Sequence, residues 1–548
     1  MSADPGHRLP ADDRPATQAT SVDPTPWGPL GQPVFRMLWG VWMTANICMW
    51  MNDVAAAWLM TSLTTSPMMV ALVQSASTLP VFLLGLPSGA LADILDRRRW
   101  FMATQVWVAS VAVLTCGVIV LGGMSAPLLL VLTFANGMGL AMRWPVFAAI
   151  VPELVARNQL PAALALNGIA MNTSRIIGPI LAGALIAGAG SEYVFVLNAL
   201  LSVAAAFTIK RWRREQKVSA LPGERFLGAI RVGVQYVRQS SRMHAVLLNV
   251  SLFFMQSTAL LALLPLTAKG LHGGGAGTFT LLLASMGGGA VIAAIFLPRL
   301  RQTLSRDRLV RYGTLLHAAA TVGVSLVPNI YLAAPCMLVA GMAWISVANS
   351  LTLSAQLSLP NWVRARGMSI YQMGMMGSSA LGAALWGQVA SLTSVRTSLL
   401  CAAAGAVLSV LVARRFKLEG TVDEDLTPTD TIKPPSTQLE LDPLDGPVLV
   451  TIEYRIDPAR AQAFREVMQE SRRSRLSMGV LSWGLFRDTT DPGLYIEHYV
   501  DENWAEHLRR FDRMTASDVA LRDRRFGFHL GPEPPLVTRR IAESLNPQ

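Results

Sequence analysis

Apolar residues in this chain come in long unbroken blocks, not in alternation. Twelve stretches stand out, near 34–61, 67–91, 100–122, 126–151, 162–188, 191–209, 244–268, 276–298, 308–327, 330–354, 366–391 and 395–412. Each approaches or exceeds the roughly 20 mainly apolar residues that a helix needs to cross a bilayer. The first, fourth and tenth are the least uniform. Six of the stretches fall in 33–209 and six in 244–417, two blocks of similar length joined by residues 210–243. In that connector Phe226, Ile230, Val234 and Val237 recur at helical spacing among Arg225, Arg231 and Arg238. The pattern predicts an amphipathic helix, suited either to the inner leaflet or to a plain interdomain link.

The pattern changes after residue 417. Residues 418–445 are rich in Pro, Thr and Asp and read as a linker. The run from Val448 to Ile456 reads as a strand, and Pro458 to Arg475 as a helix with Pro near its start. Val480 to Arg487 and Leu494 to Val500 read as strands joined by a turn at Asp491, Pro492 and Gly493. Helical segments follow at Asn503–Arg513 and Ser517–Arg524, then a last strand at Leu536–Ile541. The order β-α-β-β-α-β over residues 446–541 is ferredoxin-like. The expected fold class is therefore an all-α membrane protein of twelve transmembrane helices in two six-helix halves, carrying a C-terminal α+β ferredoxin-like domain. Residues 1–32, polar and Pro-rich with no secretory signal, are expected to be a disordered tail.

Composition agrees with this picture: 52% of the 548 residues are hydrophobic and the mean hydropathy is +0.40, far too apolar for a soluble multidomain protein. A net charge of +11 would suggest a nucleic-acid partner, until the charges are placed. Arg97–Arg99 follow span two; Lys210, Arg211, Arg213, Arg214 and Lys217 follow span six; Arg299, Arg301, Arg306 and Arg308 follow span eight; Arg364 and Arg366 follow span ten; Arg414, Arg415 and Lys417 follow span twelve. Loops of the other parity hold only Glu192, Lys269, His272 and Arg396. By the positive-inside rule the basic loops and both termini lie in the cytoplasm. The charge reports topology in a cytoplasmic membrane, with the bilayer as partner and no nucleic acid. Cys48, Cys116, Cys336 and Cys401 lie within spans and have neither disulfide nor metal spacing.

The hairpin after span two reads Gly89-Ala-Leu91-Ala-Asp93-Ile-Leu-Asp96-Arg97-Arg98-Arg99. With two six-helix blocks around it, it resembles the major facilitator superfamily of secondary transporters, over roughly residues 33–415. The resemblance implies a cytoplasmic gate in which Gly89 lets helix two approach helix eleven closely. Asp93 would meet the positive end of that helix near Arg366 and Gly367, with Arg97 and Arg98 beside it; such a carboxylate gains up to about 2 kcal/mol when partly buried. Ile94 and Asp96 depart from the family pattern, which has a basic residue and a Gly there. The corresponding segment of the second half, Pro298 to Arg308, keeps basic charge but lacks the Gly and the early Asp. Span five carries Asn167, Asn172, Arg175, Gly178, Pro179 and Gly183. Small residues there permit close packing and Pro179 a bend. The set resembles the Gly-Pro antiporter signature that marks exporters. With Pro145, Pro152, Glu153, Leu154, Leu160 and Ala163, and with Leu79-Pro80 through Gly89, it resembles the branch containing the enterobactin exporter and related bacterial secretion transporters.

Charges inside spans cost about 2.5–3.5 kcal/mol on insertion scales and point to function by default. Asp53 is the candidate proton carrier, since low-dielectric surroundings favour a neutral carboxyl; a solvated place near the end of span one is the rival reading. Arg143 and Arg175 are candidates for pairing an anionic substrate or setting the protonation of Asp53. Pairing with helix-end carbonyls or with Glu153 would leave them structural. His317 fits a packed residue better than a relay. Asn172, Asn349 and Gln372 are further candidates for substrate or coupling. Asn46, Trp50, Asn52, Asn249 and Gln256 join them as candidate cavity lining. The 25 methionines suit an adaptable cavity wall or plain lipid-facing filler.

The C-terminal segment resembles the antibiotic-biosynthesis-monooxygenase-like, dimeric α/β-barrel family, some members of which oxidise aromatic substrates without a cofactor. That resemblance implies dimerisation through this domain. Trp483, Tyr495, Glu497, His498, His507 and His529 are the residues that would line a pocket; Trp483, Tyr495 and Phe511 also fit an ordinary core. No metal site or cofactor is expected. The chain has no Walker loop, dinucleotide fingerprint or nucleophile elbow, so nothing supports ATP-driven transport. The expectation is proton-coupled efflux of a small molecule, with a membrane-tethered sensor or enzyme as the alternative.

Overall fold

The structure, a computed structural model, describes residues 27–94, 96–156, 159–211, 226–418, 425–429, 437 and 439–543. Of the disordered tail expected over 1–32, residues 1–26 lie outside them, whereas Gly28–Gly31 forms a 3-10 turn with Pro29 buried, an ordered lead into the first long helix. Long helices dominate: α1 (Pro33–Leu63), α2 (Pro67–Ile94), α3 (Arg97–Val120), α4 (Ala126–Leu154), α5 (Leu160–Gly188) and α6 (Ser191–Arg211). After α7 (Phe226–Gln239) come α8 (Ser241–Ala262), a short α9 (Leu264–Gly270), α10 (Ala276–Thr303), α11 (Arg306–Leu326), α12 (Ile330–Leu357), α13 (Arg364–Leu392) and α14 (Val395–Ala413). Side-chain caps mark several starts. Ser240, Ser305, Asn329 and Ser394 each accept a hydrogen bond from a backbone N–H of the first turn of α8, α11, α12 and α14.

Among the described residues nine helices are long and apolar enough to cross a membrane: α2 to α6, α8, α10, α12 and α14. Helices α1, α11 and α13 have the length but interrupt their apolar faces. Asn46, Asn52 and Asp53 do so in α1, Arg308, Arg311 and His317 in α11, and Gln372 with several Gly and Ser in α13. Of the three least uniform stretches, the fourth and tenth qualify and the first does not. The seventh stretch is two helices, because Pro265 in the first turn of α9 supplies no N–H to continue α8. The basic segment from Pro298 is helical through Thr303 and not a loop.

Burial shows how the halves meet. One apolar cluster joins both at the end remote from the basic loops: Met51, Met60 and Val70 from the first half pack with Leu260, Leu264, Phe279 and Trp386 from the second. At the basic end the clusters are separate. Phe35, Trp42, Phe101, Phe147 and Ile150 belong to the first half alone, and Met243, Phe254, Leu351, Leu359 and Tyr371 to the second. Helices α2 and α13 still run together, with the Ser75 hydroxyl donating to the Ala380 carbonyl at 2.7 Å.

Beyond the spans lie β1 (Val448–Arg455), α15 (Ala461–Ser477), β2 (Ser482–Arg487), β3 (Leu494–Asp501), α16 (Trp504–Asp512), α17 (Ala516–Phe526) and β4 (Leu536–Ile541). The sheet order is β2-β3-β1-β4, every pair antiparallel. Val448, Val450, Ile452 and Tyr454 point to a core shared with Phe464 and Met468 of α15, as period-2 burial requires. Helix α7 brackets this unit to the spans. On one side the Tyr236 hydroxyl donates to the Ser358 carbonyl at 3.0 Å. On the other, Arg231 pairs with Glu502 and Gln235 donates to the Val480 carbonyl at 3.4 Å. Both faces of α7 therefore meet protein, as a linker helix would.

Candidate functional site

The candidate site is organised by the close approach of α5 to α1. A Cβ on Gly178 would press on Trp50 and on the Ile47 carbonyl, so only glycine lets the two backbones come this near. One turn earlier, Arg175 then reaches the Trp50 ring, its Cζ 5.4 Å from the centroid. The same guanidinium lies 4.8 Å from the ring of Trp344 on α12. A charge of the first half is thus held between an indole of each half, a favourable cation–π arrangement. Tyr371 on α13 is an electrostatic neighbour of Arg175, and its hydroxyl shares a 3.0 Å hydrogen bond with the Thr352 hydroxyl. Farther along α5, a Cβ on Gly183 would overlap Thr280 of α10, so this motif residue faces the other half. Pro179 between them is buried.

Neither intramembrane arginine has a carboxylate counter-ion among the described residues, and Nε of each has no hydrogen-bond partner. Arg143 is 1% exposed, with its guanidinium 5.5 Å from the Trp42 centroid and Nη2 donating to the Ala45 carbonyl at 3.5 Å. Asp53 lies three residues after Trp50, on the same helix face. It is half-buried inside α1, and its Oδ1 has no hydrogen-bond partner. No ion pair joins Asp53 to Arg143 or Arg175 in this conformation. Asn349 and Gln372 are half-buried on α12 and α13. The side chains of Asn172 and Glu153 lie outside the described residues.

Other proposed lining residues point elsewhere. Asn46 donates to the Trp42 carbonyl of its own helix at 2.7 Å. Asn52 accepts from Asn198 of α6 at 3.2 Å. Asn249 bonds the Ala245 carbonyl at 2.9 Å, and Gln256 lies against Gly405 of α14. His317 is buried, with the Phe253 ring 5.8 Å away in edge contact, as a packed residue would be. Trp344, Tyr371 and Thr352 were missed in the sequence. A lone Trp in span ten carries no signal until α5 is placed beside it.

Gly89 and Asp93 fall in the last turns of α2, and their side-chain surroundings lie outside the described residues. The departure at Asp96 has a local reason: its Oδ1 accepts from the Arg99 N–H at 2.8 Å, so it caps α3. Arg97 opens that helix, and Arg98 donates from Nη2 to the Lys210 carbonyl at the end of α6, at 3.0 Å. This part of the basic cluster ties first-half helices together.

In the C-terminal unit the expected pocket residues are engaged in contacts within the unit. Glu497 is fully buried and accepts from Trp483 Nε1 at 2.9 Å, Tyr454 Oη at 3.0 Å, Arg475 Nε at 3.3 Å and Arg525 Nη1 at 3.2 Å. Burial alone would raise its carboxyl, but Arg475 and Arg525, helped by Trp483 and Tyr454, hold it down at about 2. His507 pairs with Asp501 at 2.7 Å, and burial keeps the imidazole below its usual value. His498 stacks on Phe486, on the opposite face of the sheet from Glu497. His529 accepts from the Arg455 N–H at 3.0 Å. Tyr495 packs edge-on to Phe464. Among the described residues no group of three His, Cys, Asp or Glu could hold a metal ion.

Comparison with known sequences bears on this arrangement. The profile described as transmembrane secretion effector matches residues 24–546. The chain belongs to this family. The family lies in the major facilitator superfamily, so the chain is a multi-pass membrane transporter. It is similar to the staphyloferrin A transporter of Staphylococcus aureus, 21% identical over 330 residues that cover 59% of this chain and 81% of that one. It is also similar to macrolide efflux protein A of Streptococcus pyogenes, 23% identical over 269 residues, 48% of this chain and 65% of that one. Among solved structures it matches a bacterial homolog of the human lysosomal transporter Spinster in its inward-facing, unoccupied conformation. There the TM-score is 0.57 at 13% identity, over 70% of this chain and 97% of that one. At that identity the match speaks for the fold alone.

Proposed function

We propose that this transporter exports a small molecule across the cytoplasmic membrane by alternating access, coupled to protons. The observation that carries the reading is Arg175, an uncompensated guanidinium held between Trp50 of one half and Trp344 of the other. A ligand seated there would touch both halves near the bilayer midplane, where such carriers bind. A positive charge with no carboxylate partner among the described residues, and flat indoles, favour a metabolite, siderophore-like compound or drug with an anionic group and a planar part. The spans are read as twelve, α1 to α6, α8 and α10 to α14, with basic loops and both termini in the cytoplasm. The shared cluster at the far end and the separate clusters at the basic end support an inward-open state.

Asp53 is the proposed proton carrier, on the strength of its unpartnered Oδ1 inside α1. Asp53→Asn is expected to bind substrate as wild type does while losing transport against an imposed proton gradient in inverted vesicles. Coupled uptake at the wild-type rate by that variant would remove Asp53 from the mechanism, and uptake only in right-side-out vesicles would reverse the direction. Gly89 and Asp93 are the proposed latch, with Arg97 and Arg98 at the head of the next helix. Since the second half lacks the Gly and the Asp, Asp93→Asn should slow transport more than any single neutralisation of Arg299, Arg301, Arg306 or Arg308. Rate measurements on the five variants decide it, and equal losses would refute an unequal latch.

The C-terminal unit is read as a ferredoxin-like accessory domain that modulates or dimerises the carrier. Its contact with α7 supports the first role. The half-open outer sheet face, bearing Leu449, Ile496 and Phe486, supports the second. A chain ending at residue 417 should still transport in vesicles, with altered rate or oligomeric state. Complete loss of transport in a folded truncation would place an essential activity in the domain.

A further inference from the structure

A cleft of about 660 Å³ opens at the basic end of the second half, walled by α8, α11 and α14. None of its lining residues is among those that hold Arg175. Arg308 and Arg311 line it from α11, and Arg414 and Lys417 from the end of α14. Among the described residues none of these four has an ion-pair or hydrogen-bond partner for its side chain; Arg311 rests its guanidinium 5.3 Å from the Tyr312 ring. The one carboxylate in the wall, Asp307, accepts from the Leu418 N–H at 2.9 Å. Asn249 reaches the Phe416 carbonyl at 3.5 Å. These two bonds pin the basic segment Arg414–Leu418 across the mouth, so its charges are held in place.

Four cations converging with so little compensation favour an anion with several acceptor oxygens, as a phosphate group offers. The cleft lies where α14 leaves its apolar run. Tyr312, Leu316, Leu411 and Val412 are exposed on the flanking helices and Phe416 just beyond α14, and Leu252 and Phe253 form part of the wall. An apolar rim beside a cationic cleft matches a lipid, whose chains need such a surface, better than a soluble phosphate. We propose that this cleft binds the phosphate headgroup of an anionic phospholipid from the leaflet on the basic side. The transport proposal enters only in naming that leaflet cytoplasmic.

The test uses the full chain purified in detergent and exposed to mixed micelles of phosphatidylglycerol and phosphatidylcholine, with bound lipid counted by native mass spectrometry. Wild type should retain phosphatidylglycerol in preference to phosphatidylcholine. The pair Arg414→Gln/Lys417→Gln lies beyond the last turn of α14, where folding is least at risk. It should lower that retention about thirtyfold, from roughly a factor of five per basic side chain near a membrane surface. Arg308→Gln/Arg311→Gln, on the opposite wall, should do the same. Arg299→Gln/Arg364→Gln, with equal charge removed outside the cleft, should not. Equal loss in all three pairs, or no preference for phosphatidylglycerol in wild type, overturns the proposal. So does displacement of bound lipid by millimolar inorganic phosphate, which would make the cleft a soluble-phosphate site. These readouts do not depend on transport, so failure of the export reading would leave them unchanged.

Discussion

Arg175→Gln should lower the transport rate about a hundredfold while the protein still folds and inserts. The residue joins the halves through two indole faces, and a cation–π contact contributes roughly 0.5–2 kcal/mol, more when desolvated. Glutamine keeps length and hydrogen-bonding capacity but removes the charge. It loses both ring contacts and the attraction for an anionic ligand. Two such contacts, with the attraction for an anionic ligand added, reach the roughly 2.7 kcal/mol that a hundredfold change in rate requires. Arg175→Lys separates the two contributions. It keeps the charge but not the plane that can lie against two rings, so a partial loss of about tenfold is expected. Vesicle transport rates with binding measured in parallel decide the matter. Wild-type rates in the glutamine variant would remove Arg175 from the substrate path. A lysine variant as slow as the glutamine one would mean that ring stacking outweighs charge.

Much of the membrane part was legible because lipid allows few solutions. With backbone groups satisfied only within helices, a long apolar block such as 276–298 has one reading, and α10 indeed begins at Ala276. The legibility fails where helices meet one another. Helices α1, α11 and α13 are interrupted by polar, charged and small residues, many of them facing other helices, so hydropathy is a poor guide to how those helices pack. Arg175 and Gly178 could be singled out from their own span, but Trp344 could not, since its role exists only through contact with a helix from the other half. Asp96 shows the reverse: an apparent departure from a gate motif is explained by the first turn of α3, which it caps. Glu497 looked like a pocket residue because a buried acid between aromatics suits chemistry as well as structure. Two arginines distant in sequence, Arg475 and Arg525, decide its environment.

Those arginines set up the second large effect. Glu497→Gln should destabilise the C-terminal unit by about 3–5 kcal/mol, because breaking a buried pair leaves charge without compensation. Here two guanidinium groups would remain, both at most 7% exposed, and the new amide would direct its own N–H groups at donors. The same network predicts acid sensitivity. The Glu497 carboxyl goes from an ordinary 4.5 to about 2 in the folded chain, so the folded state favours the ionised form. That contribution is fully present above about pH 4.5 and disappears as the pH falls toward 2. It amounts to about 3 kcal/mol, at 1.36 kcal/mol per pKa unit. Hydrogen exchange of the β3 and α15 amides in the full chain should therefore accelerate between pH 4.5 and 2 by more than the intrinsic chemical rate explains. In Glu497→Gln exchange should already be fast at neutral pH and should gain no such excess on acidification. Slow exchange in the variant at neutral pH would show that the arginines are solvated and that apolar packing around Tyr454 and Phe464 holds the unit together. The outcome also reaches the membrane part. Arg231 of α7 is paired with Glu502, just beyond β3, so if this unit tunes the carrier through α7, loosening the sheet should change the transport rate. A variant with a melted sheet and an unchanged rate would leave dimerisation as the role to pursue.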